Sequence, residues 1–527
     1  MSRSAGATDV AIVGYGPVGK TLALLLAKKG WKAEVFEKFP QPYPLPRAIV
    51  FDDEVARIFQ SATEIDPLMA ITEPILDSYY QFRNADRKTL LKIFFPEKGL
   101  HFWPGSNFFN QPKLEQVLDD DIQKHPNIRV RMGHEVVKLE QDADQVTLTV
   151  RTPEQREIRV NALYAVGCDG ANSTVKRFMN TTTTDLGFSF DWLVVDIIPH
   201  EKREWSPMNW QYCNPARPTT VVSGGPGRRR WEFMKLPEET KEELNTPEKA
   251  WELLKPFDIH PGNATLERHA VYTFRASWAD NWRDGRLLLA GDAAHLTPPF
   301  LGQGMCAGVR DAKNLAWKLD MVLSGLADVS VLDTYTVERK THAETLIRMA
   351  IALGEVICVL DPEKARIRDE MFLTGHVPPM PQLPLSLTKG ILYGNPENGL
   401  KKGAGIPAPQ DEVELDGRRG LYDDVVGQGW SFIGFKDNPR NWLRPEQIAQ
   451  LEKLGTHFVH MTSAAGEAGK VADLHGTYAK FMEERGFGAI VMRPDCYLFG
   501  AAGTEDELRD LADDLIRKIP FRQPIGI

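Results

Sequence analysis

Gly14, Gly16 and Gly19 are spaced to hold a diphosphate. They follow a short β-branched run, residues 10–13, and open an Ala/Leu-rich stretch with a helical pattern to Lys29. A strand that turns sharply into a helix leaves the helix's first N–H groups free to meet an anion. Gly14 permits the tight turn, Gly16 lets the backbone approach the diphosphate, and Gly19 lets helix and strand pack closely. A second strand is predicted over residues 31–36, with Glu37 at its end to take ribose hydroxyls. Much later, residues 287–290 form another apolar run, followed by a loop rich in Gly and Pro over 291–306. A helix is predicted from about Ala307, because Val309, Ala312, Leu315, Ala316 and Leu319 recur at steps of three and four. Asp292, at the strand end, is suited to accept a ribityl or ribose hydroxyl. A third turn, Cys168-Asp169-Gly170, follows the apolar residues 162–166, and Ser173 opens the helix after it.

These groups need a scaffold to bring them together. Residues 127–132, 135–139, 146–151 and 157–160 are predicted as strands packed on the nucleotide sheet, and Gln111 stands before a helix over 113–124. Acids at Asp52, Asp53 and Glu54 suit the start of another helix. Strand-like runs at 192–197, 210–213, 219–222, 230–234 and 271–276, with a helical excursion over 238–254, predict a separate sheet that roofs the site. Of its aromatics, Trp192, Tyr212 and Phe233 are candidates to stack on an aromatic ligand. Arg217 is a candidate to grip a carboxylate, and at least two of Arg228, Arg229 and Arg230 are expected in a solvated turn. Proline-rich stretches at 40–46 and 378–384 read as a turn and a linker.

A single fingerprint does not separate NAD from FAD. A simple dehydrogenase has no need of a second Asp-bearing loop far along the chain, whereas a flavin and its ribityl tail extend beyond the adenine half. The three motifs, with Pro298-Pro299 and Gly302-Gln303-Gly304, resemble those of the class A, single-component flavoprotein aromatic hydroxylases, nearest to the 3-(3-hydroxyphenyl)propionate hydroxylase group. The resemblance covers nearly the whole chain. It implies FAD bound through Gly14, Gly16, Pro17, Val18, Gly19, Glu37, Lys38, Arg47, Gln111, Val136, Asp169, Gly291, Asp292, Pro299, Gly302, Gln303, Gly304 and Met305. Pro298 and Phe300 join Trp192, Tyr212, Arg217 and Phe233 as substrate candidates. It further implies NADH or NADPH as co-substrate, and O2 reacting through a flavin C4a-hydroperoxide to hydroxylate a phenol of the 3-(3-hydroxyphenyl)propionate kind. Tyr212 and a water chain are both open as the phenol's base, and His295 is a further candidate for which a structural role is preferred. The alternatives are a polycyclic polyketide as substrate, or an FAD protein that is no oxygenase.

The expected fold is α/β. An FAD-binding Rossmann-like domain of glutathione-reductase type is assembled from 1–75, 106–185 and 279–402, with 76–105 and 186–278 forming the substrate sheet. The order of elements over 403–527 resembles the thioredoxin-like tail of phenol-hydroxylase relatives. The five cysteines, at 168, 213, 306, 358 and 496, include no CxxC pair, so neither a zinc site nor dithiol redox chemistry is expected. A net charge of −9 argues against a nucleic-acid partner. No segment reads as a signal or a membrane span, which predicts a cytoplasmic enzyme, and a homodimer is the expected assembly.

Overall fold

The computed structural model describes residues 8–42, 47–76, 78–377, 383 and 385–522. The first seven residues, the end of the 40–46 turn and most of the 378–384 linker lie outside the described residues. Strand Thr8–Val13 is buried along its whole length, which its unbroken apolar run requires of a parallel strand covered on both faces. It pairs in parallel with Ala33–Glu37 and with Glu157–Gly167, and Glu157–Gly167 pairs in parallel with Leu287–Leu289. Val13, Phe36, Gly167 and Leu289 stand level in this register. The three motif loops therefore emerge side by side, in the crevice outside the carboxyl ends where such sheets bind ligands.

Residues 157–160 and 162–166, expected as two strands, are one. Glu157–Gly167 pairs antiparallel with Val146–Arg151 at its start and parallel with Thr8–Val13 at its end. The helix expected from Ala307 begins earlier, as Gly304–Leu323. The 238–254 excursion is two helices, Lys241–Leu244 and Pro247–Leu254, because Pro247 cannot extend the first and Thr246 caps the second.

The second sheet has eight strands, in the order His295–Leu296, Ala264–Ala279, Thr183–Pro199, Arg229–Met234, Thr219–Ser223, Asn209–Cys213, Ser78–Asn84, Thr89–Phe95. Alternate residues face opposite ways. Leu193, Val195, Ile197, Trp231 and Phe233 form a core with Leu244, Ala250 and Leu254 of the covering helices. Val194, Arg230 and Glu232 point the other way, into a cavity against the first sheet's loops.

In the C-terminal part, Ser431–Gly434 pairs in parallel with His457–Thr462 and antiparallel with Ala489–Met492, which pairs antiparallel with Leu498–Ala502. Helices Thr477–Glu483 and Glu505–Lys518 complete the expected thioredoxin-like order. Buried charges dock this part on the rest. Arg57 pairs with Asp423 at 2.8 Å, and Arg493 lies 2.6 Å from Glu338 and 2.7 Å from Asp495.

Candidate active site

A cavity of about 950 Å³ lies between the three motif loops and the second sheet. Gly16, Pro17, Val18, Cys168, Gly170, Gly291 and Asp292 of the motif loops line it. Arg47, Gln111, Pro299, Phe300, Gly302, Gln303, Gly304 and Met305 line it too. Helices Pro17–Lys28 and Gly304–Leu323 both begin at this wall, and neither carries a side-chain cap among the described residues. Two sets of free N–H groups, with the positive ends of two helix dipoles, thus face one space.

The fingerprint glycines divide by what surrounds them. A Cβ at Gly14, whose φ is +103°, would lie 2.4 Å from the Cys168 carbonyl oxygen, and one at Gly19 would lie 2.2 Å from that of Gly14. Those two serve packing. A Cβ on Gly16 or Gly304 would meet no protein atom within 4 Å, so the space in front of them is left for a ligand. Gly308, which the sequence reading passed over, lets the two helices meet: a Cβ there would sit 2.6 Å from Val18 and 2.9 Å from the Gly291 Cα.

The Asp292 side chain opens into the cavity, and desolvation by the surrounding protein raises its carboxyl above the usual range. Beneath it, Asp311 accepts hydrogen bonds from Gly291 N at 3.1 Å, His295 Nε2 at 2.7 Å and Arg339 Nε at 2.9 Å. Burial pushes the Asp311 carboxyl up, but His295 and Arg339 outweigh it and hold it below the usual range. His295 is thus fully buried behind the loop and off the cavity wall. Gln111 accepts from the backbone N–H groups of Arg47 and Ala48, both at 2.9 Å, and so holds the backbone that places Arg47 at the wall. Arg310 gathers Asp52 at 2.6 Å, Glu54 at 2.7 Å and the Gln303 amide oxygen at 2.8 Å, fixing the mouth of the Gly304–Leu323 helix. Arg310 and Asp311 were legible only as two charges in a helical run that also carries Lys313, Lys318 and Asp320.

Other expected residues stand elsewhere. Glu37 accepts from Tyr15 N and Phe39 N at 3.0 Å each, beside the fingerprint turn but off the cavity wall. Lys38 is exposed, with its ammonium 5.0 Å from the Phe39 ring centre, and Val136 is core. Asp169 turns its carboxylate away to accept from Thr174 N at 2.6 Å and Val175 N at 3.3 Å; Cys168 and Gly170 form the wall there.

Of the substrate candidates, Phe300 reaches the cavity. Trp192 lies behind the wall, stacked on Phe274 at 5.9 Å and edge-on to Phe300 at 5.7 Å. Phe233 faces the helix-covered side of the sheet, and Tyr212 donates its hydroxyl to the Ala85 carbonyl at 3.0 Å. The guanidinium of Arg217 is taken by Glu239, at 2.9 and 2.6 Å, and by the Met234 carbonyl. Pro298 is buried at the start of the Pro299–Leu301 turn. The solvated turn expected for the arginine run is also corrected. Arg229 and Arg230 are buried on a strand, and Arg228 pairs with Glu267 at 2.9 Å. Sequence reasoning missed the polar wall of the second sheet, namely Tyr80, Gln211, Thr220, Glu232, Arg268 and Tyr272.

A family model described as an FAD binding domain matches residues 7–350. A "probable NADH-specific resorcinol 4-hydroxylase" of Rhodococcus jostii (strain RHA1) is 37% identical over 98% of this chain and 97% of its own. The chain belongs to the single-component FAD-dependent aromatic hydroxylases. Within them it is also 33% identical to the 3-(3-hydroxy-phenyl)propionate/3-hydroxycinnamic acid hydroxylase of Mycolicibacterium smegmatis, over 95% of this chain and 91% of that one. An HcaD C-terminal domain model matches 405–518, the thioredoxin-like part of this hydroxylase. The fold is shared with the flavin-dependent monooxygenase PieE (TM-score 0.80, 21% identity, 98% of this chain and 99% of that one). It is also shared with aklavinone-11 hydroxylase (TM-score 0.74, 24% identity, 97% and 100%). Among the described residues, no helix is long and apolar enough to cross a membrane, and no cluster of side chains could hold a metal ion.

FAD fits the residues present. The two uncapped helix ends, the open space before Gly16 and Gly304, and a carboxylate at Asp292 match a diphosphate, a flavin ring and a hydroxylated chain.

Proposed function

We propose that this FAD-dependent monooxygenase hydroxylates a small phenol that carries no carboxylate, a resorcinol-type ring, with NADH as reductant. The observation that carries this is the charge balance of the substrate wall. Arg230 and Arg268 are its buried cations, and both face Asp196: Arg230 Nε at 2.6 Å and Nη2 at 2.9 Å, Arg268 Nη1 at 3.4 Å. Glu232 stands 3.8 Å from Arg230 Nη1. Two guanidiniums and two carboxylates leave no surplus positive charge for a substrate carboxylate, and a buried charge without a partner is costly. Lys92 also reaches the cavity, but it is exposed and its ammonium lies 5.4 Å from the Tyr79 ring, at the mouth. The name of the Rhodococcus jostii relative points to the same substrate class and to NADH.

Bound FAD supplies hydride acceptance and the activation of O2. The protein's own residues bind and orient. The Gly16 and Gly304 helix ends hold negative charge, Asp292 and Arg47 fix the cofactor's chain, and Asp311 keeps the Gly291 turn in place. Phe274 and Phe300, with centroids 6.2 Å apart, offer apolar faces to the phenol ring and keep water from it.

The test is NADH oxidation with oxygen uptake and product measured together, comparing resorcinol with 3-(3-hydroxyphenyl)propionate. We expect kcat/KM at least about tenfold higher for resorcinol, which corresponds to about 1.4 kcal/mol. Equal values, or a preference for the propionate, would reject the charge-balance reading.

A further inference from the structure

We propose that Glu232 is the residue that takes the proton from the substrate's reacting hydroxyl. Glu232 lies mid-strand in Arg229–Met234, level with Thr220 on one neighbouring strand and Val194 on the other. Thr220 is in turn level with Gln211. All four are on the cavity wall, so this row crosses the face that the phenol must lie against. Glu232 is 8% exposed, and that exposure is to the cavity.

Its neighbours leave its carboxylate available. Gln211 Oε1 accepts from Thr220 Oγ1 at 2.8 Å and Gln211 Nε2 donates to the Thr219 carbonyl at 3.3 Å, so that pair is satisfied without Glu232. Arg230 is held by Asp196 and by the Arg47 carbonyl at 2.8 Å, and its 3.8 Å separation from Glu232 is too long for a hydrogen bond. Among the described residues, Glu232 accepts no hydrogen bond. A buried carboxylate left without a donor is completed by a donor that arrives with the substrate.

The groups facing Glu232 set its basicity. Arg230 lies on its own strand, Asp196 on Thr183–Pro199, Arg268 and Tyr272 on Ala264–Ala279, and Tyr80 on Ser78–Asn84. Burial raises the Glu232 carboxyl above its usual range, Arg230 and Arg268 draw it back down, and Asp196 adds to the rise. A carboxylate raised in this way is a stronger base than an exposed one. In the step itself, the phenol O–H bond breaks as its proton passes to a Glu232 carboxylate oxygen. The electron pair stays on the phenolate oxygen and activates the ring for oxygen transfer. The proton leaves Glu232 for solvent when product departs.

This inference rests on the phenol-hydroxylase reading and is tested on the holoenzyme. Glu232→Gln keeps size and hydrogen bonding but removes the base, and Glu232→Asp retains a carboxylate. Flavin content would be checked first for both. Product formation, coupling to NADH and pH profile would be measured with resorcinol and with a ring-fluorinated resorcinol ionised at the assay pH. We expect Glu232→Gln to lower kcat for resorcinol about 100-fold, the lower end of general-base effects, with excess NADH oxidation ending in peroxide. Its rate should climb with pH toward the phenol's own ionisation, and the fluorinated ring should recover most of the loss. Glu232→Asp should retain the wild-type pH profile at reduced rate. A Glu232→Gln enzyme that loses equally with both rings at all pH, or loses nothing, would overturn the role. If Glu232→Gln does not fold, a Glu232→Asp pH profile displaced to that of free phenol would overturn it instead. A wild type that hydroxylates neither ring would bring down the phenol reading, and this role with it.

Discussion

At the scale of single residues, the site separates groups that face the ligand from groups that hold them. Asp292 opens into the cavity, while Asp311 lies fully buried below it with three donors. Asp292→Ala should leave the fold intact and weaken FAD binding by about tenfold, the worth of one charge-assisted hydrogen bond. Titration of apoprotein with FAD, alongside a circular dichroism melt, checks this. Unchanged FAD affinity would remove Asp292 from the cofactor site. Arg217, a plausible carboxylate clamp by type alone, is neutralised by Glu239 and needs no ligand.

At the scale of elements, the site is made by two helices that begin at the same wall and by the register that levels their strands. The start of the Pro17–Lys28 helix predicts different failures for two of its glycines. At Gly16 a Cβ meets only the cavity, so Gly16→Ala should keep wild-type thermal stability in the apoprotein and lose FAD affinity. At Gly19 a Cβ would lie 2.2 Å from the Gly14 carbonyl oxygen, so Gly19→Ala should destabilise the apoprotein by about 1–3 kcal/mol. Denaturation of both apoproteins, with FAD titration, distinguishes the two. Equal stability loss in the two variants would contradict the division of labour between packing and ligand approach.

At the scale of the whole molecule, the C-terminal part is joined through buried charge. Glu338 lies 2.6 Å from Arg493 and 2.8 Å from Lys318, all three fully buried. Burial pushes the Glu338 carboxyl up, but Arg493 and Lys318 outweigh it and hold it well below the usual range, while burial pushes Lys318 down to about 8. The folded state therefore binds fewer protons at Glu338 than the unfolded chain does. That stabilisation is present above the unfolded carboxyl's value, about 4.3, and is lost as pH falls from there toward the folded value. Arg493→Met should cost about 3–5 kcal/mol at neutral pH, because it takes the guanidinium from the buried Asp495 carboxylate and leaves Lys318 as the cation paired with Glu338. Its stability should also fall less steeply than the wild type's below about pH 4. Urea melts across pH check both, and parallel acid slopes in the two proteins would show that this pair does not govern the acid limb.

Sequence by itself determined the local devices. The run at 10–13 with its three glycines, the acid-ended strand at 31–37 and the Gly291–Gly304 loop each encode a strand end, a turn and a helix start within a few residues, where backbone sterics and hydrogen bonding are local. The FAD-binding class, and the tail that pairs as expected without a CxxC, were legible for that reason. Only the tertiary structure decided which side chains face the cavity. Phe233 and Glu232 are neighbours in sequence, yet one enters a core with the covering helices and the other the cavity. Period-two alternation shows that a strand has two faces but not which face meets a ligand. That choice is made by elements remote in the chain, the Pro247–Leu254 helix on one side and the Pro299–Leu301 turn on the other. Pairing is decided in the same way. At least two of Arg228, Arg229 and Arg230 were expected in a solvated turn, because a partner such as Asp196, on the strand adjacent to Arg230, is brought beside it only when the sheet forms.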